Sequence, residues 1–297
     1  MEEKKEQKMN FFKKWYTYQK ERFPVVVYGL YIFSIVFAIF CYSNYIECVD
    51  KPNFILLLPM FVFAFLQFLM VRIVDEFKDY EEDSKYRPYR PVPRGLITLK
   101  ELKVLFVICL SVQMVLAIVL NMQNLILLVL FWVFFFCFSK DFFIKKYLDE
   151  HILVTVLVDE LLVAFLGLYI STFVTGTINP MMTIILIMVY LVSWIVEVAR
   201  KVRCKEDEEK GVNTYTAVLG IGKTVFVLFV TQTLLMLLQV SVLGMKHLPW
   251  ILVLYTITDI INIVFAEKKS RKYAILVELI ANIFIVVTYL SMGLLLV

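Results

Sequence analysis

Long apolar runs alternate with short polar segments along the whole chain. Nine apolar runs of roughly 15–25 residues can be read, close to the length that an α-helix needs to cross a ~30 Å hydrocarbon core. They cover residues 24–46, 54–74, 103–120, 124–138, 151–175, 181–198, 224–245, 248–266 and 273–296. The pattern predicts an all-α integral membrane protein with about nine transmembrane helices in one bundle.

The composition agrees with this pattern. Hydrophobic residues make up 61% of the 297 residues and charged residues only 19%, and the mean hydropathy is +0.81. Such values are typical of a polytopic membrane protein and far from those of a soluble domain. The net charge of +4 is low for a nucleic-acid binder. We therefore expect a multi-pass protein of the cell membrane whose partner is the lipid bilayer, with no nucleic acid.

The basic residues are distributed unevenly between the two ends of the predicted helices. Almost all of them fall in the N-terminal tail and in segments 72–103, 140–146, 200–223 and 268–272. The opposite ends carry only Lys51 and Lys246. By the positive-inside rule, the N-terminus and these basic segments are cytoplasmic and the C-terminus is outside. Residues 1–23 are thus expected to form a polar cytoplasmic segment, and residues 24–297 the transmembrane domain.

The polar segment after the second apolar run carries most of the candidate chemistry. Asp75, Asp79 and Asp83 recur every four residues, so on a continuing helix their carboxylates share one face and repel each other unless a cation or solvent relieves them. Hard oxygen ligands suit Mg²⁺, which binds through a carboxylate or two together with substrate phosphates. Arg87 and Arg90 follow, and guanidinium groups match phosphate oxygens. The alternative is an ordinary solvated helix end.

This segment resembles the first signature of the UbiA superfamily of intramembrane prenyltransferases. In that signature, an Asn/Asp-x-x-x-Asp-x-x-x-Asp helix end precedes an Arg-Pro-x-x-x-Gly turn. The corresponding residues here are Asp75, Asp79, Asp83, Arg90, Pro91 and Gly95. The resemblance implies that the three aspartates are Mg²⁺ ligands and that Arg87 and Arg90 contact a diphosphate. It also implies that residues 24–297 form a prenyltransferase-like domain.

The loop after the sixth apolar run resembles the second signature of the superfamily only in part. That signature has an Asp-x-x-x-Asp pair before a Gly-x-x-Thr/Ser segment. Counting back from Gly211 and Thr214 places the second acid at Asp207, and Arg203 replaces the first. The resemblance implies that Asp207 is a further metal ligand and that Arg203 contacts the diphosphate.

Other basic residues match the superfamily more loosely. They precede the first apolar run or follow the fourth: Arg22, Lys145 and Lys146. The resemblance implies that they contact the diphosphate. Anchoring at the membrane surface is the alternative explanation for all three.

Several acids are candidates for an acceptor pocket or for the second site. Asp159 and Glu197 lie inside apolar runs, where an ionisable group is costly and usually functional. Glu206 lies beside Asp207 in the second loop. Structural roles between helices are equally compatible with the sequence.

The resemblance implies an Mg²⁺-dependent intramembrane prenyltransferase that transfers a prenyl group from an isoprenyl diphosphate to a lipophilic or aromatic acceptor. The metal would neutralise the leaving diphosphate, and the allylic cation would alkylate the acceptor. No residue is singled out as catalytic. The alternatives are an intramembrane terpene cyclase of the same superfamily, a non-catalytic relative and a transporter, although the Gly and Pro residues of this chain concentrate in loops rather than within helices.

Overall fold

The protein is all-helical in the residues that the computed structural model describes, which are 10–209 and 213–296. In this part of the chain, nine helical segments are long and apolar enough to cross a membrane. They are Val25–Ile46, Phe54–Lys78, Leu99–Leu120, Met122–Ser139, Ile152–Thr175, Pro180–Arg200, Ile221–Leu243, Met245–Lys268 and Arg271–Leu296. The predicted fold class and helix count are confirmed, and the chain is a multi-pass membrane protein.

The α-helices are numbered here in chain order. The first seven are α1 (Phe11–Arg22), α2 (Val25–Ile46), α3 (Leu57–Lys78), α4 (Tyr80–Tyr86), α5 (Leu99–Leu120), α6 (Leu125–Ser139) and α7 (Lys145–Glu150). The others are α8 (Ile152–Asp159), α9 (Leu161–Thr175), α10 (Thr183–Arg200), α11 (Tyr215–Leu219), α12 (Ile221–Leu243), α13 (Leu248–Lys268) and α14 (Arg271–Leu296). The fifth membrane span therefore consists of two helices, α8 and α9, which are separated at Glu160.

The polar loop between α4 and α5 ends in well-defined local structure. Gly95 has a φ of 80°, which only glycine adopts readily, and the Leu96 N–H donates to the Pro91 carbonyl over 2.9 Å. Thr98 then caps α5. Its hydroxyl accepts from the Glu101 N–H, and the Glu101 carboxylate accepts from the Thr98 N–H, which forms a capping box. The chain thus turns back sharply after α4 and re-enters the membrane along α5.

The described residues divide into two compact units. The first comprises those of Met1–Phe33 and Phe54–Phe143. Near the polar loop its core is formed by Tyr18, Ile73, Val92, Leu96, Ile97 and Leu102. These residues come from α1, α3, the loop and α5, so the N-terminal helix is packed into this unit. The polar composition of residues 1–23 predicts a cytoplasmic segment but does not predict that Tyr18 within it is buried.

The second unit comprises the described residues of Ser34–Asn53 and Ile144–Val297. Its long helices pack closely where small residues allow it. A Cβ added at Gly293 on α14 would lie 2.5 Å from the ring of Phe37 on α2. Glycine at this position lets the two helices approach, which is a common packing device in membrane proteins.

Candidate functional site

The polar segment of residues 75–95 is called the first loop here. Its three aspartates lie on an almost unbroken helical path. Helix α3 ends at Lys78, and Asp79 sits at the junction with α4 with φ −92° and ψ 0°. The i to i−4 hydrogen bonds nevertheless continue through the junction. The Asp79 N–H donates to the Asp75 carbonyl over 2.9 Å, and the Asp83 N–H donates to the Asp79 carbonyl over 2.7 Å. The regular spacing therefore keeps the three side chains on neighbouring turns, as the sequence predicts.

Asp79 lies in an environment that disfavours its negative charge. Burial, together with the neighbouring carboxylates of Asp75, Asp83 and Glu82, raises the pKa of Asp79 to about 6. Lys78 acts in the opposite direction with a smaller effect. The Lys78 ammonium is bound to Asp141 instead and lies 4.7 Å from the centre of the Phe138 ring. Asp79 is thus a carboxyl group that a second cation would stabilise in its charged form.

Asp83 has a different environment one turn further on. Its side chain is only 2% exposed, and its oxygens lie 2.5 Å from Arg90 Nη1 and 3.4 Å from Arg87 Nη1. The two arginines predicted to contact a diphosphate are therefore held in place by Asp83. As a metal ligand, Asp83 would have to share its oxygens with these arginines. Asp75 is more open, with Arg72 Nη1 at 3.4 Å.

Helix α1 is fastened to the first loop by ion pairs. Arg22, predicted to bind the diphosphate, donates from Nε to Glu76, whose side chain is 1% exposed. Glu21 accepts from both terminal nitrogens of Arg94, over 2.8 and 2.9 Å. Glu76 was missed in the sequence analysis. An acid beside Asp75 at the end of an apolar helix, with Arg22 preceding another such helix, was the signal that could have suggested this pair.

A third ion pair ties the same helix to α5. Lys14 donates from Nζ to both carboxylate oxygens of Glu101, over 2.7 and 2.9 Å. Glu101 is also the capping-box residue of α5, so one carboxylate caps that helix and fixes α1 to it.

The chain between α6 and α7 forms a left-handed turn. Asp141, Phe142 and Phe143 have φ values of 49°, 51° and 62°. Three successive non-glycine residues in this region are strained, and the Asp141 side chain is held there by Lys78. Lys145 and Lys146, the other predicted diphosphate contacts in this part of the chain, begin α7 with exposed side chains.

The second loop is organised around Glu208 rather than around Asp207. Glu208 accepts from the hydroxyl of Thr214, over 2.6 and 2.8 Å, and from that of Thr216, over 2.8 Å. Thr216 also accepts from the Arg203 backbone N–H over 3.0 Å. Thr214 caps α11 through the Ala217 N–H. Gly211, from which the loop was aligned to the second signature, lies outside the described residues.

The side chains of Arg203 and Asp207 point to different partners. The Arg203 guanidinium donates to the Val202 carbonyl over 2.7 Å and lies 4.0 Å from Glu278. The Asp207 carboxylate accepts from Cys204 Sγ over 3.1 Å and lies 3.7 Å from Arg271 Nε. Both ion pairs are long and partly exposed, so each contributes little to stability. Glu206, beside Asp207, is exposed.

The acids predicted inside the membrane spans belong to the second unit. Glu197 on α10 is paired with Arg200 and, over 2.6 Å, with Lys201. Asp159 is the last residue of α8, next to the helix junction at Glu160. The Tyr190 hydroxyl of α10 donates to the Leu157 carbonyl of α8 over 2.8 Å. Burial and the carboxylates of Glu197 and Glu160 raise the pKa of Tyr215 at the start of α11 well above its ordinary range.

The residues can be tested against the requirements of a divalent metal. Among the described residues, no group of three or more His, Cys, Asp or Glu side chains is arranged to hold a metal ion. Mg²⁺, however, needs only one or two carboxylates when substrate phosphates and water complete its shell. Asp75 and Asp79 meet this requirement, because they are adjacent on the helix and Asp79 gains from a neighbouring positive charge.

In its described residues, the protein combines nine candidate membrane spans with an acidic loop that is followed by arginines. This combination can be compared with known families of intramembrane proteins. The model of the UbiA prenyltransferase family matches residues 34–274. The chain therefore belongs to the UbiA prenyltransferase family. Members of this family generally use a divalent metal, an isoprenyl diphosphate and a lipophilic acceptor. No curated protein sequence matches the chain significantly.

Two solved structures share this fold. One is that of a digeranylgeranylglyceryl phosphate synthase, with a TM-score of 0.58 and 20% identity over 95% of this chain and 98% of that chain. The other is the apo structure of a UbiA homologue from Aeropyrum pernix K1, with a TM-score of 0.59 and 14% identity over 88% of this chain and 97% of that chain. At these identities, the likeness concerns the fold alone.

Proposed function

We propose that the chain is an Mg²⁺-dependent intramembrane prenyltransferase that transfers a prenyl group from an isoprenyl diphosphate to a lipophilic or aromatic acceptor. Family membership supports the general activity. The single observation that carries the finer proposal is the environment of Asp79, a partly buried carboxyl group with other carboxylates beside it, one helical turn before Asp83 and the two arginines that Asp83 orders.

In this proposal, the first loop separates metal binding from phosphate binding along one helical path. Asp75 and Asp79 are the principal metal ligands. Asp83 pairs with Arg87 and Arg90 and so orders the two guanidinium groups to which the proposal assigns the diphosphate oxygens. When bound, Mg²⁺ would supply electrostatic stabilisation of the departing diphosphate.

The second loop has supporting roles in the proposal. Glu208 and its two threonines fix the backbone at Arg203, and the Arg203 guanidinium keeps N–H groups for phosphate because its contact with Glu278 is long. The roles assigned to Asp207, Lys145 and Lys146 rest on the family resemblance alone. Arg22 forms an ion pair with Glu76. Its proposed contribution to diphosphate binding is therefore to position the first loop.

The experiment that tests the proposal is release of diphosphate from a panel of prenyl diphosphates by the purified protein, in a membrane lipid extract that supplies lipophilic and aromatic acceptors, with Mg²⁺ and with a chelator. Release that requires both the prenyl substrate and Mg²⁺ is expected. The mass of the organic product then distinguishes transfer from cyclisation, because transfer replaces one hydrogen of an acceptor by the prenyl group, whereas cyclisation gives a hydrocarbon that is the prenyl cation less one proton. Absence of release with every chain length would contradict the proposal and favour a non-catalytic relative.

A further inference from the structure

The ammonium group of Lys78 lies at the C-terminal end of α6, although Lys78 itself is the last residue of α3. It forms an ion pair with the Asp141 carboxylate, and the two side chains are 16% and 19% exposed. It also donates to the Phe138 carbonyl over 3.4 Å and lies 4.7 Å from the centre of the Phe138 ring. A carboxylate, a carbonyl at the negative end of a helix and a ring face all attract a cation. One short segment of the chain therefore holds this ammonium with three groups.

The backbone that presents the Asp141 carboxylate has an unfavourable conformation. Asp141, Phe142 and Phe143 have φ values between 49° and 62°. Non-glycine residues in this region cost about 1–3 kcal/mol each and persist only where the surrounding structure imposes them. Ring contacts with α6 hold the turn, because Phe142 lies 5.4 Å from Phe134 and Phe143 lies 6.2 Å from Phe136 between ring centres. The carboxylate is thus fixed in one place at a cost in strain, which indicates a role beyond that of an ordinary surface ion pair.

If this segment did not hold it, the Lys78 ammonium would meet the acids of the first loop. Asp75 lies three residues before Lys78 and Glu82 four residues after it, the spacings at which side chains of a helix meet. Asp79 is the next residue, yet the Lys78 charge lowers its pKa by less than the neighbouring carboxylates raise it. An ammonium paired with one of these carboxylates competes with a divalent metal, since both bind the same oxygens. Metal binding in the first loop therefore requires that this cation be held elsewhere.

We propose that Asp141 is a positioning residue for the metal site of the first loop. It holds Lys78 at the end of α6, keeps the ammonium away from Asp75 and Asp79, and so leaves their oxygens to the metal ion. This inference rests on the metal-binding role that is proposed for the two aspartates. It adds to that site a residue from the turn between α6 and α7, which acts on the metal through Lys78.

The affinity for Mn²⁺ in the absence of substrate tests the proposal. Mn²⁺ replaces Mg²⁺ because carboxylates suit both ions, and electron paramagnetic resonance measures the free Mn²⁺ during titration of the purified protein in phosphatidylcholine nanodiscs. Asp141→Asn removes the charge and keeps the shape of the side chain, and asparagine tolerates the left-handed region as aspartate does. We expect the affinity to fall about twofold to fivefold, the effect of one partly exposed ion pair formed by the released Lys78.

Lys78→Met separates this role from two others. It keeps the apolar stem and removes the ammonium, so the affinity should equal or exceed that of the unmodified protein, and Asp141→Asn should have no further effect in this background. If the ion pair only ties α3 to α6, the two single substitutions would lower the affinity alike. If Asp141 acts on the metal through its own charge, Asp141→Asn would lower the affinity by the same factor in both backgrounds. Either of these results would overturn the proposal.

Asp79→Asn distinguishes failure of this inference from failure of the proposed function. Loss of Mn²⁺ binding in Asp79→Asn assigns the titrated site to the first loop, and unchanged affinity in Asp141→Asn would then overturn the positioning role alone. Mn²⁺ binding that Asp79→Asn does not reduce would overturn the metal-binding role of the first loop, and the positioning role with it.

Discussion

Asp79 differs from the aspartates one turn away in what surrounds it. Asp75 has Arg72 beside it, and Asp83 has two arginines. Asp79 is partly buried next to other acids. Identical side chains at identical spacing therefore have different electrostatic environments, and the group with the least compensated charge gains most from a metal ion.

The environment of Asp79 predicts the pH dependence of stability in the presence of a chelator. Its pKa is raised from 3.8 to about 6 in the folded protein. A carboxyl group with a raised pKa stabilises the fold fully below its unfolded pKa and loses that contribution as the pH rises through the folded pKa. The midpoint temperature of thermal unfolding should therefore decrease as the pH is raised from about 4 to about 6. In Asp79→Asn this decrease should be smaller. Glu81→Gln is the control, because Glu81 is exposed and does not contribute to the raised pKa of Asp79, and an equal reduction there would assign the effect to loop charge in general.

Arg203 is the position where the chain departs from the family signature. Its side chain is 38% exposed, and its guanidinium is only loosely paired with Glu278. We expect Arg203→Ala to weaken prenyl diphosphate binding by about 1–3 kcal/mol, the scale of losing a hydrogen bond to a charged group. Arg203→Asp should make binding more dependent on Mg²⁺. Isothermal titration over a salt series measures both effects, with Lys205→Ala as the exposed control. Unchanged binding in Arg203→Ala would mean that Arg203 serves only as an anchor at the membrane surface.

Sequence spacing predicted these residues better than it predicted their partners. The i, i+4, i+8 pattern placed Asp75, Asp79 and Asp83 correctly along one path. It could not show that Asp83 is buried against Arg90, because that contact depends on the turn through Pro91 and Gly95. Glu208 escaped notice because its role arises from hydrogen bonds to threonines six and eight residues further along the chain.

Among the helices, α1 is the one whose packing the sequence predicted least well. Its composition is polar, yet Tyr18 is buried and three ion pairs connect the helix to the loop and to α5. The length of an apolar run predicts a span because a helix needs about 20 apolar residues to cross the hydrocarbon core. It does not predict a short interfacial helix whose position is fixed by long-range charge pairs. The left-handed turn at Asp141 was missed for the same reason.

The ion pairs of α1 differ in burial, which predicts different effects of breaking them. The Arg22–Glu76 side chains are 11% and 1% exposed, whereas those of Arg94 and Glu21 are 22% and 38% exposed. Glu76→Gln should destabilise the protein by about 3–5 kcal/mol, because it leaves a buried arginine without its counter-charge. Glu21→Gln should cost about 0–1 kcal/mol. Thermal unfolding and limited proteolysis within α1 measure the difference. Equal effects would mean that α1 is held by its apolar contacts alone.

At the scale of the whole molecule, the topology follows from the charge distribution and remains a prediction. Lys85 and Lys205 should lie on the same side of the membrane as the N-terminus, with Val297, outside the described residues, on the opposite side. Single cysteines at these positions, labelled from each side, provide the test. Cys48 is exposed between the first and second membrane spans and should label from the side opposite to Lys85. Labelling of positions 85 and 205 from opposite sides would contradict the topology.

In the proposed mechanism, the acids of the first loop bind the metal that activates an isoprenyl diphosphate. The most direct measurement is diphosphate release by Asp79→Asn beside the unmodified protein, over a range of Mg²⁺ concentrations. We expect Asp79→Asn to fold, because removal of the carboxylate relieves repulsion, and to lose Mg²⁺-dependent substrate binding and turnover. Undiminished turnover in Asp79→Asn at the same Mg²⁺ concentration would show that Asp79 is not a metal ligand.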